Sequence, residues 1–270
     1  MNNSPENWQV PEYEVAFRSG KTARWCVVIP VINEGERIQS LLLKMKNLNI
    51  ARLADIIIVD AGSTDGSLQP EALKALDVRT LIVKHGPGKL SAQLRCAYAF
   101  ALTEGYDGIV TIDGNDKDDP AAIPQFVEAL EQGLDFAQAS RFISGGNAEN
   151  TPRSRDLAIR YIHAPALSFF SGFPWTDTTQ GFRAYSAKML RDSRLSVFRD
   201  VFATYELLAY LSYRAPRLGY KCVEIPTARR YPIGKIPTKI SSFRGNFSVL
   251  TILFKACFGF FNPREKVIRR

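Results

Sequence analysis

Short, nearly continuous apolar runs alternate along the first half of the chain with stretches in which apolar residues recur every three or four positions. WCVVIP (25–30), ADIIIVD (54–60), RTLIV (79–83), GIVTID (108–113) and FAQAS (136–140) have the length and β-branched content of buried strands. Between them, Ile38, Leu41, Leu42, Met45 and Leu48 mark one helix face, residues 90–103 predict a second helix, and Ile123, Phe126, Val127 and Leu130 mark a third. Pro120 just inside that third helix, with Asp119 before it, supplies a start signal and a cap. Strands that are apolar on both faces and alternate with helices predict an α/β fold, a mostly parallel central sheet flanked by helices. Ligands of such sheets bind beyond the carboxyl ends of the strands, where Asp60 and Asp113 fall.

The alternation weakens after residue 145. SGGNAENTPRSR (144–155) reads as a polar loop, residues 156–171 as partly helical, and TDTTQGFRAYS (176–186) as a loop leading into a short strand. Residues 200–214 predict a helix and KCVEIP (221–226) a strand. With no internal repeat, this describes one catalytic domain over residues 1–240 and a C-terminal segment, 241–270, made of an apolar helix and a basic tail. The apolar stretch FSVLTILFKACFGFF (247–261) is too short to span a bilayer. Bordered by Arg244, Arg264 and Lys266, it suits either peripheral contact with a membrane interface or packing against the protein or a sister subunit in a homo-oligomer.

Composition narrows the setting. A hydrophobic content of 46% over 270 residues supports a substantial core. The four cysteines, Cys26, Cys96, Cys222 and Cys257, match neither a metal-binding spacing nor a disulfide scaffold, and the first 24 residues lack the apolar stretch of a signal peptide; both point to the cytoplasm. The net charge of +8 gathers in RRYPIGKIPTK (229–239) and REKVIRR (264–270), which would attract phosphorylated small molecules or anionic lipid. Nucleic acid is disfavoured as a partner, because no stacking surface is interleaved with those cations.

The chemistry concentrates in TIDGNDKDDP (111–120). Four neighbouring carboxylates at a sheet's ligand-binding edge repel one another, and a hard divalent cation, Mg²⁺ or Mn²⁺, would relieve that repulsion. Asp113 and Asn115 can both offer oxygen to such an ion, with Asp116 as a further ligand, whereas the glycine and terminal glutamate of a twelve-residue calcium loop are missing. Asp60 suits a base or ribose, and Glu34 either a ribose hydroxyl or the positive end of the following helix. Gly88 and Lys89 sit in a turn that could meet a phosphate but do not complete a phosphate-binding loop. Asp177 is a candidate base for a hydroxyl acceptor and Arg183 a candidate phosphate ligand; an ion pair between the two is the competing reading. The tract holding Arg229, Arg230, Lys235 and Lys239 could close over a diphosphate.

Taken together, VVIPVINE, IIIVDAGSTDG, GIVTIDGNDKDDP, TDTTQGFRAYS and ARRYPIGKIPTK resemble the family 2 glycosyltransferases of the GT-A fold, over roughly residues 24–240. The resemblance is closer to the branch containing dolichyl-phosphate mannose synthase and related polyprenyl-phosphate sugar transferases. It implies inverting transfer of a sugar from a nucleotide-sugar donor. By it, Pro30, Glu34 and Asp60 line the nucleotide pocket, Asp113 matches the first aspartate of the metal motif, and Arg230 and Lys235 match the phosphate-binding loop. Asn115 stands where a second aspartate is usual, Lys117 where a glutamine is frequent, and Ala61 replaces the second acid of the form VDDGSTDG. The acceptor expected on this basis is polyprenyl phosphate or a related glycolipid at the membrane surface. The alternatives are a transferase acting on a saccharide or small-metabolite hydroxyl, and, from another class, a nucleotidyltransferase, a metal-dependent phosphohydrolase or a nucleotide-binding module.

Overall fold

The computed structural model describes residues 5–232 and 243–263. Lys235, Lys239 and the tail 264–270 lie outside them. Ten strands are described: β1 (Tyr13–Arg18), β2 (Trp25–Val31), β3 (Ala54–Asp60), β4 (Val78–Lys84), β5 (Gly108–Thr111), β6 (Phe136–Ser140), β7 (Asn147–Glu149), β8 (Arg183–Ser186), β9 (Cys222–Pro226) and β10 (Ala228–Arg230). The α-helices are α1 (Glu36–Asn47), α2 (Pro70–Ala75), α3 (Leu90–Thr103), α4 (Ile123–Glu131), α5 (Arg153–Ala158), α6 (Ala164–Ser171), α7 (Ala187–Leu190), α8 (Glu206–Arg217) and α9 (Phe243–Cys257). A π-helical turn, Ile159–His163, joins α5 to α6.

Eight strands form one sheet in the order β1-β4-β3-β2-β5-β8-β6-β9. From β4 to β5 the strands run parallel, as do β6 and β9, while β1 and β8 are antiparallel to their neighbours. Every residue of β2 and β3 is buried, which is why both read as unbroken apolar runs. One core lies on each face of the sheet. Ile38, Leu41, Leu42 and Met45 of α1 join Phe126 and Val127 of α4 on one side; α3, α6, α8 and α9 pack on the other. Leu48, placed on the α1 stripe by its spacing, instead lies exposed beyond the last turn.

The C-terminal segment is part of this body. Ile252, Leu253, Ala256 and Cys257 of α9, with Phe261 after it, are buried in the same core as α8. Phe258 and Phe260 remain exposed at its end. A second, two-stranded ribbon of β7 and β10 lies at the carboxyl edge of the sheet. An isolated bridge between Asp118 and Arg229 joins it to the acidic loop.

Candidate active site

The acidic loop begins where β5 stops. Ile112 still sends its N–H to the carbonyl of Val28 at 3.1 Å, and Gly114 sends its own to Pro30 at 3.4 Å, so Asp113 leaves the sheet directly beside the end of β2. Its carboxylate is 20% exposed and stands 3.4 Å from the Arg229 guanidinium. Gly181 lies against its other side: a Cβ there would come within 2.2 Å of Asp113 Oδ1. The glycine of the TTQGFR segment is thus what lets that loop close onto Asp113.

The remaining acids of the cluster diverge. Asp116, in the left-handed region at φ 56°, turns back to α1, accepting from Ser40 Oγ at 2.7 Å and pairing with Lys44 at 2.8 Å. It is therefore turned away from Asp113, contrary to the expectation that it would share a cation with it. Asn115 stays near, its side-chain oxygen accepting from the Lys117 N–H at 3.2 Å. Asp118 is fully buried and bonded to Arg229 at 2.5 Å, with burial and the neighbouring Asp113 lifting its carboxyl to about 6 against the pull of Arg229. Asp119 caps the turn at Pro120 by accepting from Ala121 N–H at 3.0 Å.

Backbone bonds tie this loop to the basic tract. Asp119 N–H donates to Ala228 and Arg230 N–H to Lys117, so residues 117–119 lie along β10. Strand alternation then decides which arginine faces the acids. Arg229 points inward between Asp113 and Asp118, whereas Arg230, the residue expected at the phosphates, points out and pairs with Glu149 at 2.9 Å. The sequence places both arginines in one tract but does not say which is inward. Tyr231 completes the cationic corner. It accepts from Arg155 at 3.1 Å, and the Lys117 ammonium lies 5.2 Å from its ring centre. Burial would raise its phenol, but Arg229, Arg155 and Arg141 outweigh that and bring it down to about 8.

The expected nucleotide residues line the neighbouring strand ends. Pro30 is buried near the end of β2. Glu34 is nearly buried and paired with Arg37 at 2.7 Å. Asp60 closes β3, accepting from Ser63 N–H at 2.9 Å and Ser63 Oγ at 2.6 Å. Lys89 is exposed at the start of α3, its backbone N–H bonded to Ala203.

Asp177 and Arg183 depart most from expectation. Both are fully buried, and they do not pair with each other. Asp177 is held by Arg141 through Nε at 2.7 Å and Nη2 at 3.1 Å, and by Gln180 at 2.6 Å. Burial alone would raise its carboxyl; Arg141 and Gln180 reverse that and hold it below the ordinary range, which opposes proton uptake as a base. Arg183 donates to the carbonyls of Gln180, Thr178 and Leu208 and to Ser212 Oγ, leaving it engaged in holding the loop to α8 rather than meeting a phosphate. Glu224 of β9 anchors the start of the same loop, accepting from the N–H groups of Thr176 and Asp177 at 2.9 and 3.0 Å. Sequence reasoning did not single out Arg141, Glu224 or Tyr231.

Among the described residues, no group of three or more His, Cys, Asp or Glu side chains is arranged to hold a metal ion. A divalent cation nevertheless fits the half-open carboxylate of Asp113 and the oxygen of Asn115. Magnesium sites commonly use one or two protein oxygens and complete their shell with water and substrate phosphates.

A largely parallel central sheet flanked by helices, with acids at its carboxyl edge and a cationic wall facing them, is a GT-A-like fold. Residues 26–194 match Glycosyl transferase family 2, and the chain belongs to that family. It is a glycosyltransferase, of a class generally metal-dependent and inverting. This replaces the nucleotidyltransferase, phosphohydrolase and binding-module readings. The undecaprenyl-phosphate mannosyltransferase of Micrococcus luteus is 30% identical over 206 residues, 75% of this chain and 82% of that protein. Glucosyl-3-phosphoglycerate synthase from Mycobacterium tuberculosis, solved with Mn²⁺ and UDP-glucose, has a TM-score of 0.60 at 18% identity, covering 89% of this chain and 80% of that one. The same enzyme, solved with Mn²⁺, UDP-glucose and phosphoglyceric acid, gives 0.57 at 17%, with 89% and 81% covered.

These structures correct the expected acceptor. The GT-A fold found here is shared with an enzyme captured with phosphoglyceric acid rather than with a polyprenyl phosphate. The reading of a polyprenyl-phosphate acceptor at a membrane surface is therefore withdrawn in favour of its alternative.

Proposed function

We propose that the protein transfers a sugar, with inversion, from a nucleoside diphosphate sugar to a hydroxyl of a saccharide or small metabolite. The observation that carries this reading is Asp113, a half-open carboxylate held between the Arg229 guanidinium and the backbone of Gly181 at the end of the nucleotide-side strands.

The nucleotide lies over the ends of β2 and β3, with Asp60 and Glu34 as acceptors for base or ribose hydroxyls and Pro30 as an apolar wall. Asp113 and Asn115 would hold Mg²⁺ or Mn²⁺, which when bound would supply positive charge to the diphosphate. Arg229 and Lys117 add fixed cations on the same side, where negative charge grows as the glycosidic bond to the diphosphate breaks. Lys235 belongs to this group as a proposal from sequence alone. The acceptor hydroxyl oxygen attacks the anomeric carbon from the face opposite the leaving diphosphate, the anomeric C–O bond breaks with its electron pair passing to the diphosphate, and the hydroxyl proton passes to water. Asp177, Arg141 and Arg183 act by position, fixing the loop that carries Gly181 against Asp113.

The test is a mass-resolved turnover assay with a panel of nucleotide sugars and hydroxyl acceptors, with Mg²⁺, Mn²⁺ or EDTA. Metal-dependent release of nucleoside diphosphate together with a glycosylated acceptor is the expected result. Donors that stay intact with every metal and acceptor count against the proposal.

A further inference from the structure

A cavity of about 400 Å³ lies beside the loop that leads to Gly181, lined by Phe142, Arg160, Tyr161, Ser168, Trp175 and Thr176, among others. Its volume is that of a small-molecule site. Two of its walls come from the active site's own framework. Phe142 follows Arg141, the partner of Asp177, and Thr176 begins the loop that ends at Gly181. Thr176 and Gly181 are five residues apart in one loop, so this cavity wall lies within about 18 Å of the glycine that abuts Asp113.

The third wall is the π-helical turn. Ile159 and His163 face the core, and Arg160 and Tyr161 are exposed between them. Single π-turns within helices frequently coincide with functional sites, because the wider turn redirects side chains that a regular helix would space differently. Arg160 lies flat on Phe142, 4.0 Å from the ring centre, and its bond to Asp156 runs through Nε at 3.1 Å. Its terminal nitrogens make no hydrogen bond among the described residues, so the planar fork keeps donors for a pair of oxygens. Tyr161 adds an aromatic ring that is 72% exposed. An open aromatic ring beside terminal guanidinium donors suits a hydroxyl-rich ring that has one apolar face and oxygens at its rim.

From this we infer that the cavity is the acceptor subsite and receives a saccharide, with vicinal hydroxyls or a carboxylate on Arg160 and a ring face against Tyr161. The inference rests on the transferase reading above and names the acceptor class for it.

Saturation-transfer NMR of the full chain with glucose, maltose, glucuronic acid and octyl phosphate tests it, alongside Tyr161→Ala and Arg160→Gln, with UDP-sugar affinity measured separately. The expected result is contact with at least one sugar, weakened 10-fold or more in both variants while nucleotide affinity is unchanged. A stronger effect of Arg160→Gln on glucuronic acid than on glucose would assign the carboxylate to Arg160, and equal effects would assign the hydroxyls. Sugar binding unaltered in both variants, no sugar bound at all, or octyl phosphate preferred over every sugar would each overturn the inference. If sugars bind as expected but no nucleotide sugar binds or turns over, the transferase reading fails and the saccharide site stands.

Discussion

Asp113 and Asp177 are two aspartates at the same edge of the sheet, each beside an arginine, and their surroundings leave them opposite capacities. Asp113 keeps 20% of its surface open and stands 3.4 Å from Arg229. Asp177 has none, with Arg141 at 2.7 Å and a further bond from Gln180. An acid whose bonding capacity is met inside the protein has little left for a substrate; one that meets a single distant partner can still take a ligand. The contrast separates scaffold from chemistry more sharply than residue type or motif.

The largest effect expected from breaking this contrast is on stability. Asp177→Ala leaves Arg141 buried without its partner, and such losses cost about 3–5 kcal/mol. In a chain of this size that lowers the melting temperature on the order of 10 °C, measurable by calorimetry. Because the folded state holds the Asp177 carboxyl below its ordinary value of 3.8, its contribution is present above that value and is lost as pH falls through the lowered one.

Asp113→Asn acts the other way, cutting turnover by roughly 10²-fold or more, the scale for losing one charge-organising group, with the melting temperature nearly unchanged. EDTA should then suppress the wild type strongly and this variant little further. A variant that stays fully metal-dependent would move the ion elsewhere.

The cationic corner sharpens the comparison through pH. Tyr231, brought down to about 8, becomes a phenolate as pH rises through that value and cancels one charge beside Arg229. Nucleotide affinity should therefore fall several-fold above about pH 8, and Tyr231→Phe should remove that limb in a titration by calorimetry. The smallest effect is expected at Asp116, paired with a half-exposed Lys44. Asp116→Ala should cost less than about 1 kcal/mol in denaturant unfolding and leave the metal response unaltered.

Local pattern carried much of the fold. β2 and β3 are legible because a strand buried on both faces has to be apolar at every position, and the stripes of α1 and α4 because one helix face meets the core. β1 escapes that logic: YEVAFR lies at the sheet edge with most residues partly or fully exposed, so no run or clean alternation marks it. The helix expected from residue 200 begins at Glu206, after a bent segment whose apolar residues mimic its period. At the site, Asp113 was legible from its place after an apolar strand. The engagement of Asp177 was not, because Arg141 is 36 residues away and Glu224 another 47 beyond Asp177. Which of Arg229 and Arg230 faces the acids was not legible for a simpler reason: a two-residue periodicity needs a known starting face, which three residues of β10 do not supply.

The place of β8 has a consequence for how the chain comes together during synthesis. It lies between β5 and β6 although it follows both, so the sheet has a missing rung until Arg183–Ser186 have been made. The strands that carry Pro30 and Asp60 pair with each other and need nothing made later than β3 to do so. Gly181 can reach Asp113 only after that rung has been made, and β9, the edge strand beside β6, is made later still. The contact that closes onto Asp113 is thus tied to the completion of the sheet and cannot form from its N-terminal half alone.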